Sequence, residues 1–288
     1  TSAKQYNIGD VLTIKETKAP KGYKLDTKTY THTVTSSENL ISVSDIPIFD
    51  PPFVLTKVDK DTTTPQGDAS LEGAEIEVTS ENENPVVVAG KEYKKGDVVL
   101  ILKTGKGGTV STPVDMLPLG SYSWKETKVP AGYLLEGTVS GKFTLTEKDA
   151  ATIKDFSGKG PADQIIRGGV KIGKWEAETK RRDPQGGSSL NEITFAIVNK
   201  SNDSVLVDGK TYEPGATIAT IKTDKDGYWE SKEKWLPYGS YAAIETKAPE
   251  GHTLTGTVKN FEIRNDGEII DLDQGQFENQ VFRGDLEL

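Results

Sequence analysis

Lys57, Glu126 and Asp163 recur further along the chain as Lys174, Glu245 and Asn279. Lysine to glutamate is 69 positions in the first set and 71 in the second, and lysine to the third residue is 106 and 105. An amine, an acid and a carboxyl or carboxamide are the groups needed to join two side chains through an amide bond. The amine attacks only when neutral, and an exposed lysine is almost wholly charged at pH 7. Burial among apolar side chains lowers a lysine's pKa and raises a glutamate's. A neutral acid can then hydrogen-bond an acceptor carbonyl and carry a proton. The surrounding elements must therefore bury all three groups and bring distant positions of the chain together.

Each glutamate lies in a stretch that occurs three times. It reads Ile14-Lys15-Glu16-Thr17-Lys18-Ala19-Pro20-Lys21-Gly22-Tyr23, then Trp124-Lys125-Glu126-Thr127-Lys128-Val129-Pro130-Ala131-Gly132-Tyr133, then Ala243-Ile244-Glu245-Thr246-Lys247-Ala248-Pro249-Glu250-Gly251-His252. A long fixed period signals an array of similar units. Each copy places the acid at the end of an apolar-alternating run and follows it with a Pro-x-Gly turn.

Around these copies the chain reads as short strands between turns. Phe53 to Asp59 and Val170 to Glu176 match as first strands and hold the lysines. Ala74 to Val78 alternates with period two, as a half-buried strand should. Thr62 to Ser70 reads as a polar loop, and Ala89-Gly90-Lys91 and Gly105 to Gly108 as turns. Leu117-Pro118-Leu119-Gly120-Ser121-Tyr122 returns as Leu236-Pro237-Tyr238-Gly239-Ser240-Tyr241, and Gln164-Ile165-Ile166-Arg167-Gly168 as Gln280-Val281-Phe282-Arg283-Gly284. No stretch makes a convincing amphipathic helix. The expectation is an all-β chain of tandem Greek-key sandwiches, in which first and last strands can be sheet neighbours. The expected units are 49–167 and 168–284, opened by the rigid Asp50-Pro51-Pro52 linker. Residues 1–48 read as the back part of a unit, whose missing strands lie before it or come from another segment. Asp285 to Leu288 read as the start of a further one.

The chain has 288 residues, only 34% of them hydrophobic, which suits thin cores with one wet face. A net charge of −9 argues against a nucleic-acid binder and against basic docking on anionic lipid. No run reaches the roughly 18 apolar residues of a membrane span. Cysteine is absent, so disulfide staples and thiolate metal sites are absent too. No metal or cofactor is expected: His32 and His252 are isolated, and no Ser/His/Asp pattern or phosphate-cradling glycine loop appears.

The Lys-Glu-Thr-Lys-Ala-Pro-x-Gly-Tyr stretch resembles the E-box of Cna B-type (SpaA-like) domains, which build the stalks of Gram-positive surface adhesins and pilus subunits. The resemblance covers two complete units and a partial one. It implies a transthyretin-like or inverse immunoglobulin-like sandwich, and a spontaneous lysine–asparagine or lysine–aspartate isopeptide bond assisted by the glutamate. Carried over by position, Lys57 is the nucleophile, Glu126 the helper and Asp163 the acceptor. In the next unit these are Lys174, Glu245 and Asn279. The first unit has only Glu16 and Asp45. The resemblance further implies an extracellular, cell-wall-anchored protein that crosslinks itself once and is not an enzyme. Its partners would be other pilus subunits or a host matrix or cell-surface ligand.

Rival assignments exist. Asp155 competes with Asp163 as acceptor, and Lys60 and Lys171 compete as donors. A module binding a host ligand would show an aromatic patch, for which Trp175, Tyr228, Trp229 and Trp235 are the candidates. An accessory domain of a secreted enzyme is a third reading, although these residues supply no catalysis. Arg283-Gly284-Asp285 resembles an integrin-binding tripeptide and reads better as an inter-domain linker. Leu117 to Gly120 faintly resembles a sortase signal and reads as a strand-entry turn. Asp224-Lys225-Asp226-Gly227 is too short for an EF-hand loop and reads as a hairpin turn.

Overall fold

The computed structural model describes residues 6–20, 22–47, 53–113, 116–135, 139–146, 154–155 and 160–287. The Asp50-Pro51-Pro52 linker lies outside the described residues. Within them the chain is strand, turn and coil, with no α-helix. None of the described elements is a helix long and apolar enough to cross a membrane.

The first stretch holds β1 (Val11–Lys15), β2 (Tyr23–Lys24), β3 (Thr29–Thr33) and β4 (Ile46–Pro47). The second holds β5 (Phe53–Thr56), β6 (Val58–Asp59), β7 (Glu75–Ser80), β8 (Val86–Val88), β9 (Lys91–Tyr93) and β10 (Val98–Lys103). It continues with β11 (Thr109–Ser111), β12 (Gly120–Lys128), β13 (Tyr133–Leu134), β14 (Ser140–Leu145), β15 (Lys154–Asp155) and β16 (Ala162–Ile165). The third holds β17 (Arg167–Glu176), β18 (Thr194–Asn199), β19 (Val205–Val207), β20 (Lys210–Tyr212) and β21 (Thr217–Lys222). It ends with β22 (Tyr228–Glu230), β23 (Leu236–Pro237), β24 (Gly239–Lys247), β25 (Val258–Ile263) and β26 (Ile269–Asn279).

Two sandwiches result. In each, one sheet is a four-stranded antiparallel layer, ordered β10-β7-β12-β14 in the second unit and β21-β18-β24-β25 in the third. The facing layer is built on the first strand of the unit. β5 pairs with β11 and β15, β6 with β16, and β17 with β22, β23 and β26. Alternation decides which side chains turn inward: along β7 every second residue from Ile76 is buried. Leu55, Ile76, Val78, Tyr122, Trp124 and Phe143 fill one core, and Phe195, Ile197, Tyr241, Phe261, Ile263 and Phe277 fill the other.

The pairing of first with last strand is parallel in both sandwiches. In the second, Asp163 lies opposite Asp59; in the third, Asn279 lies opposite Glu176. Each acceptor thus sits across from the residue two places beyond its lysine, on the same face of the ladder. The strand-entry motif also has a visible job: the Tyr122 hydroxyl donates to the Pro118 carbonyl at 2.8 Å, and Tyr241 to Pro237 at 2.7 Å.

The described residues of the first stretch hold two strand pairs. β1 pairs with β3 and β2 with β4, as β12 pairs with β14 and β13 with β16 in the second unit. Nothing among the described residues takes the places of β7 and β6 beside them. Val11, Leu40, Val43 and Ile46 are exposed in consequence.

Candidate functional site

The lysines sit where the parallel ladder breaks. Lys57 is the unpaired residue between β5 and β6, and in the third unit the β17–β26 register shifts between Ile172 and Lys174. From the other side a glycine turn seats each lysine backbone. Lys57 N–H donates to the Gly108 carbonyl at 2.8 Å, and Lys174 N–H to that of Gly227 at 2.9 Å. Gly108 has φ +79°, and a Cβ there would lie 2.5 Å from the Lys57 carbonyl oxygen. Only glycine meets both demands without strain.

In the third unit Lys174, Glu245 and Asn279 are brought together and are buried. Lys174 Nζ donates to Asn279 Oδ1 at 2.5 Å and lies 3.1 Å from Glu245 Oε1. The Asn279 amide donates to the same Glu245 oxygen at 2.7 Å. That oxygen therefore touches both the nitrogen that would attack and the nitrogen that would leave. Thr255, which sequence reasoning did not single out, donates to Asn279 Oδ1 at 3.2 Å and to Glu245 Oε2 at 3.1 Å. The expected contact between the glutamate and the acceptor carbonyl is made here by Thr255 and Lys174 instead. Burial lowers the Lys174 pKa, against the pull of Glu245.

The second unit assembles the same trio. Lys57 Nζ lies 2.6 Å from Asp163 Oδ2 and 3.5 Å from Glu126 Oε1, with all three side chains buried. These separations lack hydrogen-bond angles, and none of the polar atoms involved has an aligned partner. The distances describe three groups in contact rather than a satisfied ion pair, an arrangement expensive to maintain in a dry interior. Burial raises the Glu126 pKa to about 7, with Lys57 opposing the rise and Asp163 adding to it. As for the rivals, the backbone of Asp155 lies opposite Val54, on another strand from Asp163. Lys60 is exposed, and Lys171 pairs with Asp271 at 3.0 Å near the surface.

In the first stretch Glu16 and Asp45 both lie near Tyr30 and help raise its pKa, though the larger causes are its hydrogen bond to Asp26 and burial. Glu16 accepts from the Asp26 N–H at 2.6 Å, and Asp45 Oδ1 is buried without a partner. The strand register places Asp45 where Asp163 stands, since Tyr23 and Lys24 face Pro47 and Ile46 as Tyr133 and Leu134 face Ile165 and Gln164.

The profile of one family, described as SpaA: Prealbumin-like fold domain, matches residues 52–159 and 176–276. The chain belongs to this SpaA prealbumin-like family. Among solved structures, the Bacillus anthracis TIE protein is similar at 25% identity with a TM-score of 0.57, over 94% of this chain and 41% of that one. The chain thus spans about two-fifths of that relative's length. A streptococcal ancillary pilin matches at 18% identity and TM-score 0.33, over 94% of this chain and 75% of its own. The shaft pilin SpaA of Lactobacillus rhamnosus GG matches at 18% and 0.27, over 83% of this chain and all of its own. Comparison with curated proteins finds no match.

The two SpaA-type units differ beside the lysine. Tyr133 closes one cluster next to Asp59, and burial, then that carboxylate, push its ionisation up. In the other unit His252 takes the tyrosine's place and Glu176 the aspartate's. His252 Nε2 lies 2.6 Å from Glu176 Oε1, both side chains fully buried. His252 is therefore not isolated, contrary to the sequence reading. The Pro-x-Gly-Tyr repeat with histidine in its last place was the available signal.

Other sequence features have structural employment. Asp224 accepts from the Asp226 and Tyr228 N–H groups at 2.9 Å, closing a hairpin turn. Arg283 clasps Glu178. Trp235 is buried, its ring edge-on to Trp229, and Arg182 lies against the rings of Trp175 and Tyr228.

Proposed function

We propose that each complete SpaA-type unit joins its own first and last strands through an isopeptide bond, Lys57 to Asp163 and Lys174 to Asn279. The neutral lysine Nζ attacks the acceptor Cγ, the new C–N bond forms, and the old C–N or C–O bond breaks. In the third unit the proton shed by Nζ passes through Glu245 to the leaving nitrogen of Asn279, which departs as ammonia. In the second the leaving oxygen of Asp163 takes the Nζ proton and the one carried by neutral Glu126, and departs as water. No oxidant or cofactor enters the balance. Burial favours the neutral amine of Lys174, and the fold supplies the positioning, worth up to about 7–11 kcal/mol of barrier in well-oriented systems. The reaction runs once per unit, so the protein is its own substrate and a structural protein rather than an enzyme.

The observation that carries this reading is the single Glu245 oxygen in contact with both nitrogens, inside a fully buried cluster. Units over 49–167 and 168–284, with the back part of another over 1–48, would then act as self-stapled stalk segments. The parent would be a surface adhesin or pilus subunit outside a Gram-positive cell wall, its partners other subunits or a host ligand. In the first stretch Glu16 and Asp45 would be helper and acceptor for a lysine on another segment. Intact mass tests the core claim: the folded chain should be lighter than its sequence mass by about 17 Da for the Asn279 bond and about 18 Da for the Asp163 bond. Peptide mapping should recover Lys174–Asn279 and Lys57–Asp163 branched peptides. An unshifted mass in folded protein overturns it.

A further inference from the structure

The second and third units meet through a set of residues that the third unit carries again at its far end. In the existing joint, the loop after β6 docks on the third unit. Gly67 exchanges backbone hydrogen bonds with Ser204 and Asp203 at 3.0 and 2.9 Å. Gln66 is held from behind, its Nε2 donating to Asp59, while its Oε1 accepts from Leu206 N–H at 2.9 Å. Arg167 bonds the Leu206 and Trp235 carbonyls and reaches back to Asp61 at 3.3 Å. Gln164 holds the same Asp61 oxygen at 3.0 Å. Ile166 packs on the third unit's core, and its N–H donates to Gly132.

Pro65-Gln66-Gly67 reappears as Pro184-Gln185-Gly186, with the same supporting cast. Gln185 Nε2 lies 3.5 Å from Glu176, the counterpart of Asp59. Arg283 and Gln280 both bond Glu178, the counterpart of Asp61. The Phe282 N–H donates to the Gly251 carbonyl at 2.8 Å, as Ile166 does to Gly132. Gly186 keeps the left-handed backbone of Gly67, at φ +59° against +62°. The difference lies in what covers them. A Cβ on Gly67 would strike the Tyr238 carbonyl at 2.3 Å, whereas one on Gly186 would meet nothing within 4 Å. Gln66 is buried and Gln185 half-buried, and Phe282 is 66% exposed. Gln185, Phe282 and Arg283 line an open groove of about 650 Å³.

We propose that this end of the third unit is a built dock for a further SpaA-type sandwich, joined in the same chain through Gly284. The occupant would present a face like the one around Ser204–Leu206 and Tyr238. The same-chain source follows from the existing joint: Arg167 is at once the clasp and the first residue of the next unit's first strand, and Arg283 holds the corresponding place. One group departs from the copy. Gly187 stands where Asp68 binds Asn202, Ser240 and Arg264, so the second joint has fewer polar anchors. The exposed Phe282 in place of Ile166 offers more apolar area in return. This inference does not depend on isopeptide bonds.

The test extends the chain, placing a second copy of residues 168–288 directly after Arg283, and measures spin-label distances across the new junction. The expected result is a narrow distribution comparable to that across the existing joint, lost in Arg283→Ala, while Arg167→Ala broadens only the existing joint. In parallel, Phe282→Ala should lower the melting temperature of the extended chain more than that of the unextended chain. A broad distribution unchanged by Arg283→Ala, or equal Phe282→Ala shifts in both chains, overturns the proposal. So does concentration-dependent dimerisation of the unextended chain that Arg283→Ala abolishes, since the occupant would then be a second copy.

Discussion

Burial pushes Glu126 and Lys174 in opposite directions, and both shifts favour the uncharged form. For Glu126 the folded pKa is the higher one. Before joining, its contribution to stability is fully present below the ordinary value of 4.5 and is lost as pH rises through about 7. Lys174 has the lower folded pKa, so its contribution is present above 10.5 and is lost as pH falls through the folded value. If the second unit needs Glu126 neutral, its joining rate should fall by up to about tenfold per pH unit above about 7. The check is the rate of water loss, by mass spectrometry, in unjoined chain refolded from urea at graded pH. Glu245→Ala should leave the third unit folded and its Lys174–Asn279 branch missing, since it removes the oxygen that bridges the two nitrogens. Peptide mapping beside a circular dichroism spectrum reads both halves of that outcome. His252→Ala is a different kind of change. It removes the hydrogen-bond partner of the buried Glu176 carboxyl group, a loss on the order of 1–3 kcal/mol, visible as a lower denaturation midpoint.

At the scale of elements, the turn glycines decide where the lysines point. Gly108→Ala would strain a left-handed backbone and drive a methyl into the Lys57 carbonyl and into Leu71. The expected outcome is slower joining in the second unit alone, by time-resolved mass spectrometry, with the third unit's rate unchanged. The identity and inward face of β7 were legible in the sequence, because alternation over Ala74 to Val78 is local. The pairing of Lys174 with Asn279 was legible for a different reason: two copies kept nearly the same separation. Thr255 was not legible, since a threonine in a Gly- and Thr-rich turn carries no pattern of its own. Nor was the role of Gln66 and Asp68. Residues 62–70 read as a polar loop, and their hydrogen-bond partners lie on another sandwich some 140 to 170 positions away. Local composition cannot reveal what a loop will meet.

For the molecule as a whole, an isopeptide bond in the third unit would close a loop of 105 positions. By the chain-entropy argument used for disulfides, that is worth on the order of 4–5 kcal/mol. Lys174→Ala should therefore melt the third unit at a distinctly lower temperature and expose it to protease, as followed by calorimetry and limited digestion. The joint adds a second kind of rigidity. Asp68 gathers four hydrogen-bond donors from Asn202, Ser240 and Arg264, so Asp68→Ala should loosen the second unit against the third without unfolding either. Small-angle scattering should register the change as a broader pair-distance profile.

Parallel pairing of first and last strands has one more effect. The backbone enters a sandwich at one pole and leaves it at the opposite pole, so each repeat adds reach without adding girth. A tug along the polymer slides the paired strands past one another instead of peeling them apart, and a covalent rivet between them would stop the slide at its first ångström.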